Sequence, residues 1–471
     1  MKIEQIYTGC LAEAAYYIES NGEAAIIDPL REVATYLKKA DKANATIKYI
    51  FETHFHADFV SGHVDLAEKS GAEIVYGPTA KTAFKAHIAE DGEQFKIGAL
   101  TITALHTPGH TLESTTYLLT DENGKDHCIF SGDTLFIGDV GRPDLAQKGN
   151  LTMEDLAGML YDSLNEKIKP LADDVIVYPA HGAGSACGKS MSKETFDTLG
   201  HQKEVNYALK AVTKEQFIEE VTDGILPPPQ YFAKNAAINK GGVESLDEVF
   251  EKGLNALSPQ EFEDTANQTG AIMLDTRDPQ VFAKGFIPNA INIGLNGQFA
   301  PWVGALITDL QQPILLITDE GKELETITRL SRVGYDSTIG YLEGGFERWT
   351  SANKEIDTIE SISADAFEQV VNNAEVKALD VRKPGEYESE HLEFTLSRPL
   401  DYINEWTGEI NPKETYYIHC AGGYRSMIAA SILKSRGVEN VIDVAGGYGA
   451  IKNTNLKRTD FACPSKAMKV S

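Results

Sequence analysis

The chain has 471 residues, 42% hydrophobic and 24% charged, an ordinary folded composition that is too long for one core and suggests about three domains. Its 43 basic and 70 acidic residues give a formal charge of -27, which repels phosphate backbones and anionic headgroups, so neither nucleic acid nor a membrane surface is an expected partner. The opening MKIEQIYTGC lacks the basic-then-apolar build of a secretory signal, and no run approaches the roughly 18 apolar residues that span a bilayer, so a cytoplasmic protein is expected.

The region to about residue 190 alternates short apolar runs with helical segments. AAIIDP, IKYIFETH, AEIVYGP, LTITALHTPGH, HCIFSGD and DVIVYPAHG each read as a buried strand ending in a turn. Several of these strands stop at a histidine or an aspartate, where a rigid scaffold lets loops converge. Residues 192 to 220 read as helical and polar, and the three prolines of ILPPPQYF then break the periodicity. A boundary is expected near residue 250, which gives domains over 1–250, 255–355 and 358–471. Beyond it the sequence repeats loosely. IMLDTRDPQVF from Ile272 returns as KALDVRKPGEY from Lys377, and YLEGGFERW from Tyr341 returns as DVAGGYGAI from Asp443, both after about one hundred residues. With strands such as QPILLIT and ETYYIHC, the repeat implies two small parallel α/β domains in tandem. Cys10, Cys128, Cys187, Cys420 and Cys463 are odd in number and form no C-x-x-C pair, so reduced thiols are expected.

Four segments offer metal ligands: His54, His56 and Asp58 in THFHADF, His110 in HTPGHT, Asp133 in SGDTLF and His181 in YPAHG. One histidine at a strand end is ordinarily satisfied by hydrogen bonds. Four strand ends with His or Asp, each in a Gly- or Pro-shaped turn, point to a metal site.

THFHADFVSGH, HTPGHT, SGDTLF and YPAHG, in that order, resemble the metallo-β-lactamase superfamily over the first half of the chain. The resemblance implies an α/β fold in which an N-terminal αββα sandwich carries metal at one edge of its sheets. It leaves the chemistry open, because zinc hydrolases and iron oxygenases share these motifs. Two-metal hydrolases of the superfamily carry histidine after the aspartate, where this chain has Phe59, which has no lone pair to donate. The intact set is then His54, His110 and Asp133, the two-histidine, one-carboxylate arrangement of non-haem Fe(II) with open positions for substrate and oxygen. His56, Asp58 and His181 become groups that orient ligands or hydrogen-bond substrate.

GDTLFIGDVGRPDL, from Gly132 to Leu145, is similar to the persulfide dioxygenases and is more specific than the histidine motif. That resemblance implies one Fe(2+) per chain, with O2 and a low-molecular-weight thiol persulfide as substrates and sulfite and thiol as products. Arg142 could pair with a carboxylate of the thiol carrier or with Asp144 beside it. Cys187 and Lys189, in the Gly-rich loop after His181, could meet substrate or pack over the site. Family likeness also favours a homo-oligomer.

IHCAGGYRS follows an apolar strand and precedes the helical MIAASILKSRG. A cysteine in such a loop meets converging N–H groups and the positive end of a helix dipole, which favour a thiolate, a persulfide or an oxyanion. Cys420 is therefore the expected nucleophile, in a cradle of Ala421, Gly422, Gly423, Tyr424 and Ser426. Arg425 adds charge or bridges outward. With the DVR strand end at Asp380–Arg382, this loop resembles the rhodanese (sulfurtransferase) family over roughly residues 360 to 455. The first copy reads DEGKELE instead, with Asp319 or Glu320 at the nucleophile position, and no cysteine lies between Cys187 and Cys420. It is expected to be a spacer or docking domain, with Trp349 in its core. The expected whole is a dioxygenase coupled to a sulfurtransferase that forms or uses thiosulfate. A glyoxalase II-like zinc hydrolase and a non-enzymatic sulfur carrier are the alternatives.

Overall fold

The computed structural model describes residues 1–147 and 151–462; Cys463 lies outside them. Its contacts divide the chain into one unit of Met1–Leu246 with Ser331–Gly334, and a second of Asp247–Leu330 with the chain from Tyr335 onward.

In the first unit, alternation along strands sets the layers. Within Glu13–Ser20, Ala14, Tyr16 and Ile18 enter one apolar cluster while Ala15 and Tyr17 enter another on the opposite face, as a two-residue side-chain period requires. A six-stranded sheet runs in the order Lys2–Thr8, Glu13–Ser20, Glu23–Ile27, Thr46–Phe51, Glu73–Tyr76, His87–Ile88. A second runs Asp197–Thr198, Ile176–Pro179, Asp126–Gly132, Thr115–Thr120, Leu100–His106, Gln94–Ile97. Tyr16, Phe51, Ile102, Tyr117 and Phe130 fill the space between the sheets. Helices Ala34–Ala43 and His63–Ser70 cover the outer face of the first sheet through Tyr36, Ala40 and Leu66. Helices Met153–Ser163 and Lys214–Thr222 cover the second through Leu160, Phe217 and Val221. The result is the expected αββα sandwich. All six strands read from the sequence are present.

Residues 192 to 220 hold three helices, Leu199–Val205, Tyr207–Lys210 and Lys214–Thr222, but begin with the strand Asp197–Thr198 on the sheet edge. After the prolines comes an unforeseen helix, Phe232–Gly241, which reaches back to the metal loop.

The second unit contains two five-stranded sheets, all parallel. Their orders match: Ala256–Leu257, Thr338–Leu342, Ile314–Ile317, Ile272–Asp275, Ile291–Asn292 in one, and Glu360–Ile362, Val441–Val444, Tyr416–His419, Lys377–Asp380, Leu396–Ser397 in the other. The repeated DTR and DVR strand ends build the same device twice. Arg277 forks onto Asp275 and lies 4.1 Å over the Phe346 ring; Arg382 forks onto Asp380 and lies 3.8 Å over the Tyr448 ring. Trp349 is buried and donates its indole N–H to the Glu355 carbonyl.

Candidate metal centre and sulfur site

The metal loop begins where the strand Thr46–Phe51 ends. Asp28, at the end of the neighbouring strand, accepts hydrogen bonds from the Thr53 amide at 2.8 Å and the Thr53 hydroxyl at 2.9 Å. With its proton committed to Asp28, the Thr53 hydroxyl can only accept from His54 Nδ1, 3.0 Å away. His110 Nδ1 is 2.9 Å from the Arg142 carbonyl, which accepts but cannot donate. Both rings therefore carry hydrogen on Nδ1 and present an Nε2 lone pair, the tautomer a metal requires. Those Nε2 atoms lie 3.8 and 3.3 Å from Asp133 Oδ2, which is buried and has no hydrogen-bond partner among the described residues. His54, His110 and Asp133 thus converge two lone pairs and one unsatisfied carboxylate oxygen, all within 4.8 Å of one another, and this donor set fits a divalent cation.

Electrostatics agree with that arrangement. Burial lowers the proton affinity of His54 and His110, keeping both neutral. Burial alone would raise the Asp133 carboxyl, but the charge and hydrogen bond of His181 outweigh it and hold Asp133 below the usual carboxylate range.

His181 has a different part. Its Nδ1 hydrogen-bonds Asp133 Oδ1 at 2.7 Å and its Nε2 lies 2.7 Å from Asp58 Oδ2. Burial opposes the charged ring, yet Asp133 and Asp58 on either side override it and raise His181 well above its ordinary value. Both of its ring nitrogens are engaged by carboxylates. His56 turns its Nε2 to within 3.1 Å of Asp28 Oδ1, and the buried Phe59 ring lies 4.3 Å from the His56 ring. His56, Asp58 and His181 nonetheless keep one possible ligand atom each within 4.8 Å, a second trio beside the first.

The other expected site residues separate. Arg142 is engaged by Asp144 at 2.6 and 2.7 Å and by the carbonyls of Ala186 and Leu226, so its fork is filled from within the protein. Lys189 points its ammonium at the carbonyls of Glu220 and Asp223, away from the metal residues. Arg142 thus takes the internal pairing with Asp144, one of its two expected placements, and Lys189 is held by backbone carbonyls near the surface. Cys187 does reach the centre, with Sγ grouped with Asp133 and His181, but burial together with the charges of Asp58 and Asp133 keeps it a thiol.

Three groups at this centre escape sequence reasoning. Asn239, on the helix Phe232–Gly241, donates to the His56 and Phe59 carbonyls, both at 2.8 Å, and accepts from the Ser61 amide. Glu113 accepts from the Phe55 amide at 3.1 Å. Gly141 packs so closely that a Cβ there would stand 2.0 Å from the Asp133 carbonyl oxygen and 2.9 Å from His110 Nδ1. Gly141→Ala is expected to destabilise the fold by about 1–3 kcal/mol through overpacking and to lower metal content, read by thermal unfolding and metal analysis.

The sulfur site sits where strand Tyr416–His419 meets helix Tyr424–Ser435. Cys420 is buried, its Sγ accepts from the Gly423 amide at 3.1 Å, and its thiol points to Ser426 Oγ at 3.6 Å. Gly423 stands at φ 105°, a left-handed conformation that turns its N–H onto the sulfur. Ser426 in turn donates to Asp443 at 2.7 Å. Among Ala421, Gly422, Gly423, Tyr424 and Ser426, only Gly423 and Ser426 are hydrogen-bonded to the sulfur. Arg425 bridges outward to Glu386 at 2.6 and 2.9 Å, the second of its two expected placements. The Cys-less domain touches this loop. Tyr424 donates its hydroxyl to the Gly294 carbonyl at 2.7 Å, and Gln280 donates to Asp443 at 3.1 Å. In that domain the register corrects the expected counterpart of Cys420: Asp275 pairs with Ile317 as Asp380 pairs with His419, so the buried Thr318 stands at the nucleophile position and Asp319 and Glu320 follow it, exposed at the turn.

The profile of the metallo-beta-lactamase superfamily matches residues 8–181, and that of the rhodanese-like domain matches residues 258–352 and 363–454. The chain is 31% identical over 181 residues to a probable hydroxyacylglutathione hydrolase of Schizosaccharomyces pombe, spanning 37% of this chain and 66% of that protein, just under two thirds. It is 30% identical over 210 residues to the mitochondrial persulfide dioxygenase ETHE1 of Homo sapiens, spanning 44% of this chain and 74% of that protein. The crystal structure of a metallo-beta-lactamase from Staphylococcus aureus subsp. aureus COL superposes with a TM-score of 0.66 at 32% identity, over 73% of this chain and 99% of that one. The chain belongs to the metallo-beta-lactamase superfamily and is a fusion of that domain with two rhodanese-like domains.

Proposed function

We propose that the N-terminal domain is a non-haem iron persulfide dioxygenase and that the second rhodanese-like domain is a sulfurtransferase working on its product. The observation that carries this reading is the pairing of Phe59 with a doubly bridged His181. One position next to the His54, His110 and Asp133 set offers no lone pair, and at another both ring nitrogens of His181 face carboxylates at 2.7 Å. A single cation is then the natural occupant. Bound there, Fe(2+) supplies the redox-active centre through which O2 reacts with sulfur, which redox-inert zinc does not. The chain's own residues fix the ligand tautomers through Thr53 and the Arg142 carbonyl, and Asn239 clamps the loop that carries them.

The overall change balances as RSSH + O2 + H2O giving RSH, sulfite and two protons. A second thiol persulfide passes its outer sulfur to the Cys420 thiolate and leaves as thiol; sulfite then attacks the outer sulfur of this Cys420 persulfide, the S–S bond breaks, and thiosulfate leaves with Cys420 as thiolate. Run backwards, the same residues load Cys420 from thiosulfate. Gln280 and Tyr424 support a docking role for the Cys-less domain, which braces the Cys420 loop.

A two-metal thiolester hydrolase is the second reading, favoured by the trio of His56, Asp58 and His181 and by the likeness to hydroxyacylglutathione hydrolases. Metal analysis of protein expressed in iron- and zinc-containing medium separates the two. About one iron per chain with oxygen uptake on addition of a thiol persulfide is expected; two zinc ions per chain with thiolester hydrolysis overturns the proposal.

A further inference from the structure

A cavity of about 330 Å³ opens beside the metal ligands, with His110 in its wall, near the lower end of the range for small-molecule sites. The helix after the prolines forms the opposite wall through Phe232, Ala236 and Lys240. Three charged side chains line the cavity besides His110: Asp144, Glu113 and Lys240. Asp144 is neutralised by the Arg142 fork. Glu113 accepts from the Phe55 amide through one carboxylate oxygen and lines the cavity. The Lys240 ammonium stands 4.8 Å from the centroid of the Phe55 ring, and among the described residues no carboxylate pairs with it. A cation steadied by an aromatic face, with no carboxylate of the described residues within ion-pair distance, attracts an anionic group from outside the protein.

We infer that Lys240 binds the carboxylate of the thiol carrier and Glu113 its ammonium group, so that the carrier is an amino-acid-type thiol whose sulfur is directed toward His110. This rests on the dioxygenase reading of the same site, because it gives the cavity to the thiol half of the persulfide. Both residues meet Phe55, Glu113 at its amide and Lys240 over its ring. Neither residue acts on the reacting sulfur. Both are specificity residues that position the carrier.

The test compares three thiols, L-cysteine, its methyl ester and 3-mercaptopropionate, which carry both charges, only the ammonium and only the carboxylate. Each is presented to the full chain as the persulfide for kcat/KM by oxygen uptake, and as the plain thiol for equilibrium binding. The intact protein is expected to prefer cysteine over its ester by about tenfold, the worth of one partly buried ion pair. Lys240→Met, which keeps an unbranched chain over Phe55, is expected to erase that preference, and Lys240→Arg to retain it. Glu113→Gln, which keeps an acceptor for the Phe55 amide, is expected to erase the preference of cysteine over 3-mercaptopropionate. Equal binding of acid and ester by the intact protein, or an equal loss for both in Lys240→Met, overturns the inference. Absence of oxygen uptake with all three persulfides fails the dioxygenase reading instead, and the binding of the plain thiols then still decides the roles of Lys240 and Glu113.

Discussion

Cys420→Ser is expected to stop thiosulfate formation while oxygen uptake with a thiol persulfide continues and sulfite accumulates. Serine fits the space, since it replaces sulfur by a smaller atom and can still accept from the Gly423 amide that now bonds the sulfur at 3.1 Å. It cannot carry sulfane sulfur, because the S–S bond that forms and breaks in each turnover needs a thiolate on the enzyme side. Among the described residues no other cysteine stands in such a loop: the Cys-less domain has Thr318 at the corresponding position, and Cys10, Cys128 and Cys187 belong to the first unit. Ion chromatography of sulfite and thiosulfate, run beside an oxygen electrode, reads both halves at once. Undiminished thiosulfate would remove the second rhodanese-like domain from the reaction.

Asp133→Asn is expected to lower metal affinity by at least about 100-fold and to remove oxygen uptake with it. The carboxylate does two things at once. Its Oδ2 faces His54 and His110, while its Oδ1 holds the His181 ring at 2.7 Å. An amide of the same shape loses the negative charge in both directions, leaving two neutral imidazoles and a His181 with only Asp58 to stabilise its proton. Metal content by mass spectrometry is the direct measure, and circular dichroism checks that the sandwich persists. Full iron occupancy in this variant would move the centre to the trio of His56, Asp58 and His181.

Much of this was legible because chemistry in layered α/β folds gathers at strand ends. His54 and Cys420 directly follow apolar runs, and His110, Asp133 and His181 follow apolar runs that end in a Gly- or Pro-containing turn. The sequence does not reveal competition. Arg142, Lys189 and Arg425 look free as letters, yet each is taken by a carboxylate or carbonyl that folding brings beside it. Nor does it reveal Asn239 and Lys240, which stand on a short helix whose apolar residues form no continuous stripe. About 180 residues of chain separate them from the loop they wall in. Gly141 is a third case, since only the backbone of Asp133 explains why that position excludes a methyl group.

The twin Asp–Arg forks carry a consequence for how such tandem proteins divide labour. Because Asp275–Arg277 and Asp380–Arg382 are built alike whether or not a thiol stands nearby, the fork belongs to the chassis and reactivity is a removable fitting. One short loop decides whether a module of this shape handles sulfur or serves as masonry for its neighbour.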